Sequence, residues 1–196
     1  GAIDQAIDRG VEHLFDQQFR DGSWGLHGND IGGRGGLCLY TLLQCGVARD
    51  HPSIKRAVAY LDTCDPERTY ATTCMILALH ALRDGREKRI EALVQKLVSW
   101  QLPNGMWSYP NGGSDLSCTQ YAALGLWVGV KRGIAIDKQV FKDLLEGLED
   151  HRTKVHMMAN PLAEGRTGAT KIASNGYSYR ASSNTNQKPT GSMTTA

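Results

Sequence analysis

At 196 residues with 41% apolar content, the chain is long enough to bury a core of ordinary size and fits a single domain spanning residues 1–196. A formal charge of +2, with acidic and basic residues interspersed, provides no basic patch of the kind that nucleic acid or an anionic membrane requires. The longest apolar stretch, Tyr121 to Val130, falls short of the about 20 residues needed to span a bilayer, so no transmembrane segment is expected.

Taken in chain order, "AIDQAIDRGVEHLFDQQ" places Ile3, Ile7, Val11 and Leu14 or Phe15 on one helical face and predicts a helix over 3–17. "GGLCLYTLLQCGV" is apolar nearly all round and predicts an interior helix over 33–45. "HPSIKRAVAYLDTC" returns to the amphipathic pattern through Ile54, Val58 and Leu61, with a helix over 52–62. "TYATTCMILALHAL" is again apolar all round, over 69–82, and "KRIEALVQKLVSWQ" is amphipathic, over 88–101. "SCTQYAALGLWVGV" closes the series with an interior helix over 115–130. Amphipathic and all-apolar helices that alternate over tens of residues predict an all-α array of helical hairpins, each stacked on its neighbours. From Lys154 the sequence turns polar, rich in Ser, Thr, Asn and Gly, and loses helical periodicity until "GSMTTA". Gly1 followed by a chain already in mid-helix, and a last segment that matches the start of another inner helix, give the pattern of part of a longer array.

The five cysteines are an odd number, and four of them sit in apolar runs, where cysteine behaves as a small buried hydrophobe. Neither a CxxC nor an HxxxH spacing occurs, so the sequence leads to no expectation of a disulfide framework, a metal site or a cofactor.

One pattern recurs. "QFRDGSWG", residues 18–25, reappears 83 positions later (107 − 24, Trp to Trp) as "QLPNGMWS". In a turn between an outer and an inner helix, glycine supplies backbone freedom, glutamine bonds exposed helix-end groups and tryptophan stacks over the joint. Gln18, Gly22, Trp24, Gln101, Gly105 and Trp107 fit those structural roles, and none readily serves as acid, base or nucleophile.

Extended upstream to "RGVEHLFDQQFRDGSWG", the pattern resembles the QW repeat of the terpenoid cyclase and protein prenyltransferase superfamily, with His13 where an aromatic normally stands. "RAVAYLDTCD" keeps the first half through Tyr60 and Leu61, "EALVQKLVSWQLPNGMW" keeps the second half, and "NGYSYR" at 175–180 is a degenerate fourth copy. The resemblance implies an α/α toroid of inner and outer helices, here a partial one, braced on its outside by the QW residues. It further implies that any ligand is met near the ends of the inner helices.

The residues just after each glycine-rich turn are therefore the candidates for the lumen or rim: His27, Asp30 and Arg34, then Arg68 and Tyr70, then Asp115 and Ser117. Each also has a structural reading. Asp115 or Ser114 suits the N-cap of the helix that follows, worth about 1 kcal/mol, Asp30 suits a turn, and His27 an exposed loop.

The family's chemistry requires more than these positions offer. Alkene-protonating cyclases resemble one another in an Asp-x-Asp-Asp acid, which does not occur in this chain. Prenyltransferase β subunits place Asp and Cys two apart, with a later His, around zinc. The nearest match here, Asp115 and Cys118, is three apart, with only His151 and His156 downstream, and ligand direction on a helix turns by about 100° per residue. The Gly-Cys-Gly-Glu-Gln stretch of the thioester members is absent. No catalytic residue is assigned.

Two readings follow. One is a squalene-cyclase-like repeat module without its own catalytic set, which holds an isoprenoid or other apolar ligand or docks a protein partner. The other is part of a terpene cyclase or prenyltransferase-like enzyme whose catalytic residues lie outside this chain.

Overall fold

The computed structural model describes residues 1–25, 30–109 and 112–152, and the backbone of 156–159 and 171–174. Among the described residues up to 152, seven helices follow one another: α1 (Ala2–Asp16), α2 (Gly33–Gln44), α3 (Pro52–Thr63), α4 (Thr69–Leu82), α5 (Glu87–Ser99), α6 (Leu116–Lys131) and α7 (Lys138–Asp150). The six helices expected from periodicity lie where the sequence puts them, to within two residues at either end. The seventh, α7, has Val140 and Leu144 buried on one face and Asp137 as its N-cap, accepting from the Gln139 amide at 2.9 Å. The polar tail adds a feature without a helical or strand signal in the sequence. β1 (His156–Ala159) and β2 (Lys171–Ser174) pair antiparallel, with His156 opposite Ser174 and Ala159 opposite Lys171.

The chain divides into two compact units, one comprising residues 1–100 and 121–136, the other 101–120 and 137–196. In the first, α4 is the centre. Its side chains from Ala71 to Leu79 are all buried, as an all-apolar helix requires. Fully buried Leu, Ile and Met side chains contribute roughly 1.5–3 kcal/mol each to such a core, and α4 supplies Met75, Ile76 and Leu79. Gly36 of α2 lets the two backbones approach: a Cβ there would stand 2.8 Å from the Cys74 carbonyl carbon and the Met75 nitrogen. The segment of α6 in this unit runs parallel to α4. Tyr121 meets Tyr70 edge to face at 4.7 Å, Thr73 Oγ1 donates to the Tyr121 carbonyl at 3.0 Å, and ten residues further along α4 His80 meets Trp127 at 6.2 Å.

The amphipathic helices α3 and α5 bury one face each, through Ile54, Ala57 and Leu61 on α3 and Ile90, Leu93, Val94 and Leu97 on α5. The α3–α4 joint lacks the Gln-x3-Gly-x-Trp pattern and is tied to α5 by charge instead: Arg86 bridges Asp62 and Asp84, Lys96 pairs with Asp65 at 2.9 Å, and Arg89 donates to the Cys64 carbonyl. Helix α1 departs from expectation. Its apolar face is present but buries no residue: Ile3 is 76% exposed, and only Val11, Leu14 and Phe15 near its far end are partly covered, with Phe15 stacked on His51 at 4.6 Å. Neighbours reach this face only at its C-terminal end.

Candidate functional site

The two turns that carry the repeated Gln-x3-Gly-x-Trp pattern have the same hydrogen-bond geometry. In the first, the Phe19 amide donates to Ser23 O at 2.8 Å and the Gly22 amide to Phe19 O at 3.0 Å. In the second, the Leu102 amide donates to Met106 O and the Gly105 amide to Leu102 O, both at 2.8 Å. Short polar side chains hold each turn: Asp21 Oδ1 accepts from the Ser23 amide, and Asn104 Oδ1 accepts from the Met106 amide.

Each glutamine then reaches out of its turn. Gln18 Nε2 donates to Gly22 O at 3.1 Å and to Ser53 O on α3 at 2.9 Å. Gln101 Nε2 donates to Gly105 O at 3.0 Å and to Val140 O on α7 at 2.9 Å. Three residues beyond the accepting carbonyl, the helix backbone presses on the motif glycine. A Cβ on Gly22 (φ 89°) would fall on the Arg56 carbonyl, and one on Gly105 (φ 77°) on the Asp143 carbonyl. Glycine is required at both places for its positive φ and for this close approach. The motif is thus a latch between one turn and the first turn of a later amphipathic helix, α3 or α7.

The tryptophans are buried in the joints. Trp24 donates its indole N–H to Leu14 O at 2.7 Å, closing the turn onto the end of α1. Trp107 ties its turn to the helix after it: its amide donates to Thr119 Oγ1 at 3.0 Å, and its carbonyl accepts from the Asp115 amide at 2.9 Å. At Trp24 the carbonyl accepts instead from Arg34 Nη1 at 3.1 Å.

The candidates that follow the glycine-rich turns separate into different roles. His27 lies outside the described residues, as do the degenerate copy at 175–180 and the final segment. Arg34 is used by the Trp24 carbonyl. Arg68 is the backbone N-cap of α4 and gives it no side-chain cap bond. Asp115 is buried and caps α6, its Oδ1 accepting from the Cys118 amide at 2.9 Å and from Ser117 Oγ at 2.5 Å. Both Asp115 and Ser117 are therefore engaged at the capped N-terminus of α6. Beside them, burial pushes the Cys118 thiol up to about 12, with the Asp115 charge adding to it.

Asp30 and Tyr70 are brought together in the first unit, around a residue that sequence reasoning did not single out, Cys74. Burial raises the Tyr70 phenol above its ordinary range, with the charge of Asp30 among the added causes. Burial likewise pushes the Cys74 thiol up to about 12, and Asp30 acts in the same direction. Cys38, on the adjoining helix, is raised by burial as well. The phenol and thiols stay protonated at neutral pH, so this cluster offers hydrogen-bond donors and the Tyr70–Tyr121 aromatic pair rather than a nucleophile. The partner Tyr121 was legible only as one apolar position among many. Among the described residues, no three His, Cys, Asp or Glu side chains converge as metal ligands would. No protein-family model, curated protein or solved structure matches the chain.

Proposed function

We propose that this chain is a squalene-cyclase- and prenyltransferase-like repeat module that binds an apolar ligand such as an isoprenoid, or serves as a structural or interaction domain, without a catalytic set of its own. The observation that carries this reading is the latch. Two segments 83 residues apart (101 − 18) build the same turn, with matching backbone bonds, matching glutamine bonds and matching glycine contacts, and spend the repeated motif on joining helices. The ligand part rests on apolar side chains that interior-type helices leave open, namely Leu37 on α2 and Leu124 and Trp127 on α6, the last 49% exposed.

The test is titration of the chain with squalene and with farnesyl diphosphate, read by tryptophan fluorescence and by product analysis. Saturable quenching that weakens in Leu37→Ser and Leu124→Ser, with the ligand recovered intact, is the expected result. A cyclised or transferred product would make the enzyme reading the correct one. Quenching without saturation, or unaffected by both variants, would remove the apolar ligand and leave the scaffold role alone.

A further inference from the structure

Away from the latches and the rim cluster, the first unit carries an open cleft of about 270 Å³ between the α2–α3 connection, α3 and the end of α4. Three of its seven lining residues are apolar, Val58 and Ala59 on α3 and Leu82 at the end of α4, and the other four are charged. The charged groups around it are sorted by sign. Lys55, Val58, Ala59 and Asp62 follow one another at i, i+3, i+4 and i+7, a single stripe of α3, which sets Lys55 and Asp62 about 10 Å apart along the helix axis.

Arg49, two residues before the His51 cap of α3, belongs to the Lys55 end. Neither cation has an ion pair or side-chain hydrogen bond among the described residues. At the other end, Asp62 and Asp84 both pair with one guanidinium, that of Arg86, two carboxylates to a single bonded cation. The chain arrives at Asp84 through Arg83, whose φ of 54° is the only positive value at a non-glycine residue among those described. Such a conformation costs about 1–2 kcal/mol and is kept only where the surroundings fix it.

A cleft with two unpaired cations at one end, two carboxylates about 10 Å away and Val58, Ala59 and Leu82 between them selects a particular shape of ligand. A second copy of the same surface does not fit, because two concave faces brought together would enclose a void. We propose that this cleft binds an elongated zwitterion: a carboxylate at Arg49 and Lys55, an ammonium at Asp62 and Asp84, and an aliphatic stem across Val58, Ala59 and Leu82.

The probe is 6-aminohexanoate, compared with hexanoate and hexylamine, each titrated into the intact chain while the methyl resonances of Val58 and Leu82 are followed by NMR. The zwitterion is expected to bind at least about tenfold more tightly than either singly charged analogue, the fold-change of one charge-assisted hydrogen bond. Lys55→Glu should abolish the preference, and Ala59→Phe should block all three compounds. Both positions are exposed, so an unchanged amide spectrum elsewhere separates loss of binding from loss of fold. Equal affinity for hexylamine and 6-aminohexanoate, a preference for the zwitterion that survives Lys55→Glu, or no saturable shift with the zwitterion would overturn the proposal.

Discussion

Gln18 and Ser53 stand 35 residues apart (53 − 18) and are joined by a hydrogen bond of 2.9 Å from a side-chain amide to a helix carbonyl that also serves its own helix. Gln101 and Val140 repeat the arrangement at the same 2.9 Å. Because each glutamine makes two such bonds, Gln18→Ala or Gln101→Ala should lower unfolding free energy by about 1–3 kcal/mol, measured by urea titration. Gln101→Glu should cost more at pH 7, since an ionised carboxylate would face two carbonyl oxygens with no proton to give. Part of that loss should return on acidification below the carboxylate's own range. Equal stability of the two variants across pH would show that the amide is not the donor.

The glycines permit a sharper comparison. Gly105→Ala combines a positive φ with a Cβ placed on the Asp143 carbonyl, and should cost at least about 3 kcal/mol. Gly46 has a similar φ, 83°, but open space around it, so Gly46→Ala should cost only about 1–2 kcal/mol. The difference between them isolates the pressure of the neighbouring helix. Two alanine variants of equal stability would mean that the close approach is not maintained in solution.

Trp24→Ala and Trp107→Ala should each lower stability by about 3–5 kcal/mol, as expected for a buried aromatic, with Trp24 also losing its bond to Leu14 O. Thermal melting decides this. Unchanged melting together with lost ligand binding would assign the motif to recognition rather than to the scaffold.

His80 should set a pH dependence. Arg132 Nε donates to His80 Nδ1 at 2.9 Å, an arrangement that needs the imidazole neutral, and burial followed by the Arg132 charge lowers its pKa from 6.5. A base with a depressed folded pKa binds its proton more readily in the unfolded chain. Stability is therefore fully present above about pH 6.5 and falls as pH drops from there towards the lowered folded value. His80→Asn, which keeps an acceptor but cannot titrate, should flatten the stability profile between pH 5 and 7. A profile as steep as that of the parent chain would place the titration elsewhere.

The helices were legible because burial writes itself into periodicity. α4 is apolar on every side and buried on every side, while α3 and α5 carry a single stripe and bury that stripe. α7 has the same kind of stripe in Val140, Leu144 and Leu148, a signal available in the sequence but not taken up. The face of α1 shows the limit of the argument, since periodicity reports that a face is apolar and not that a neighbour covers it. The site divides in the same way. The turn roles of Gly22 and Gly105, and the capping role of Asp115, follow from residue chemistry over a few positions. The carbonyls of Ser53 and Val140 could not be found so, because any residue type supplies a carbonyl and nothing local marks which one lies opposite an amide 35 or 39 residues (140 − 101) away.

That reach gives the chain a direction in time. Each turn takes its second hydrogen bond from a helix made after it, so a nascent chain leaving the ribosome presents Gln18 well before Ser53 exists. At roughly 5–20 residues per second, the interval is about 2–7 s. During it the first turn has only its internal bonds, with Gly22 lacking the backbone that will press on it. A pause in translation between these two positions would prolong the open state, and a segment presenting spare carbonyls could occupy the glutamine before its own partner emerges.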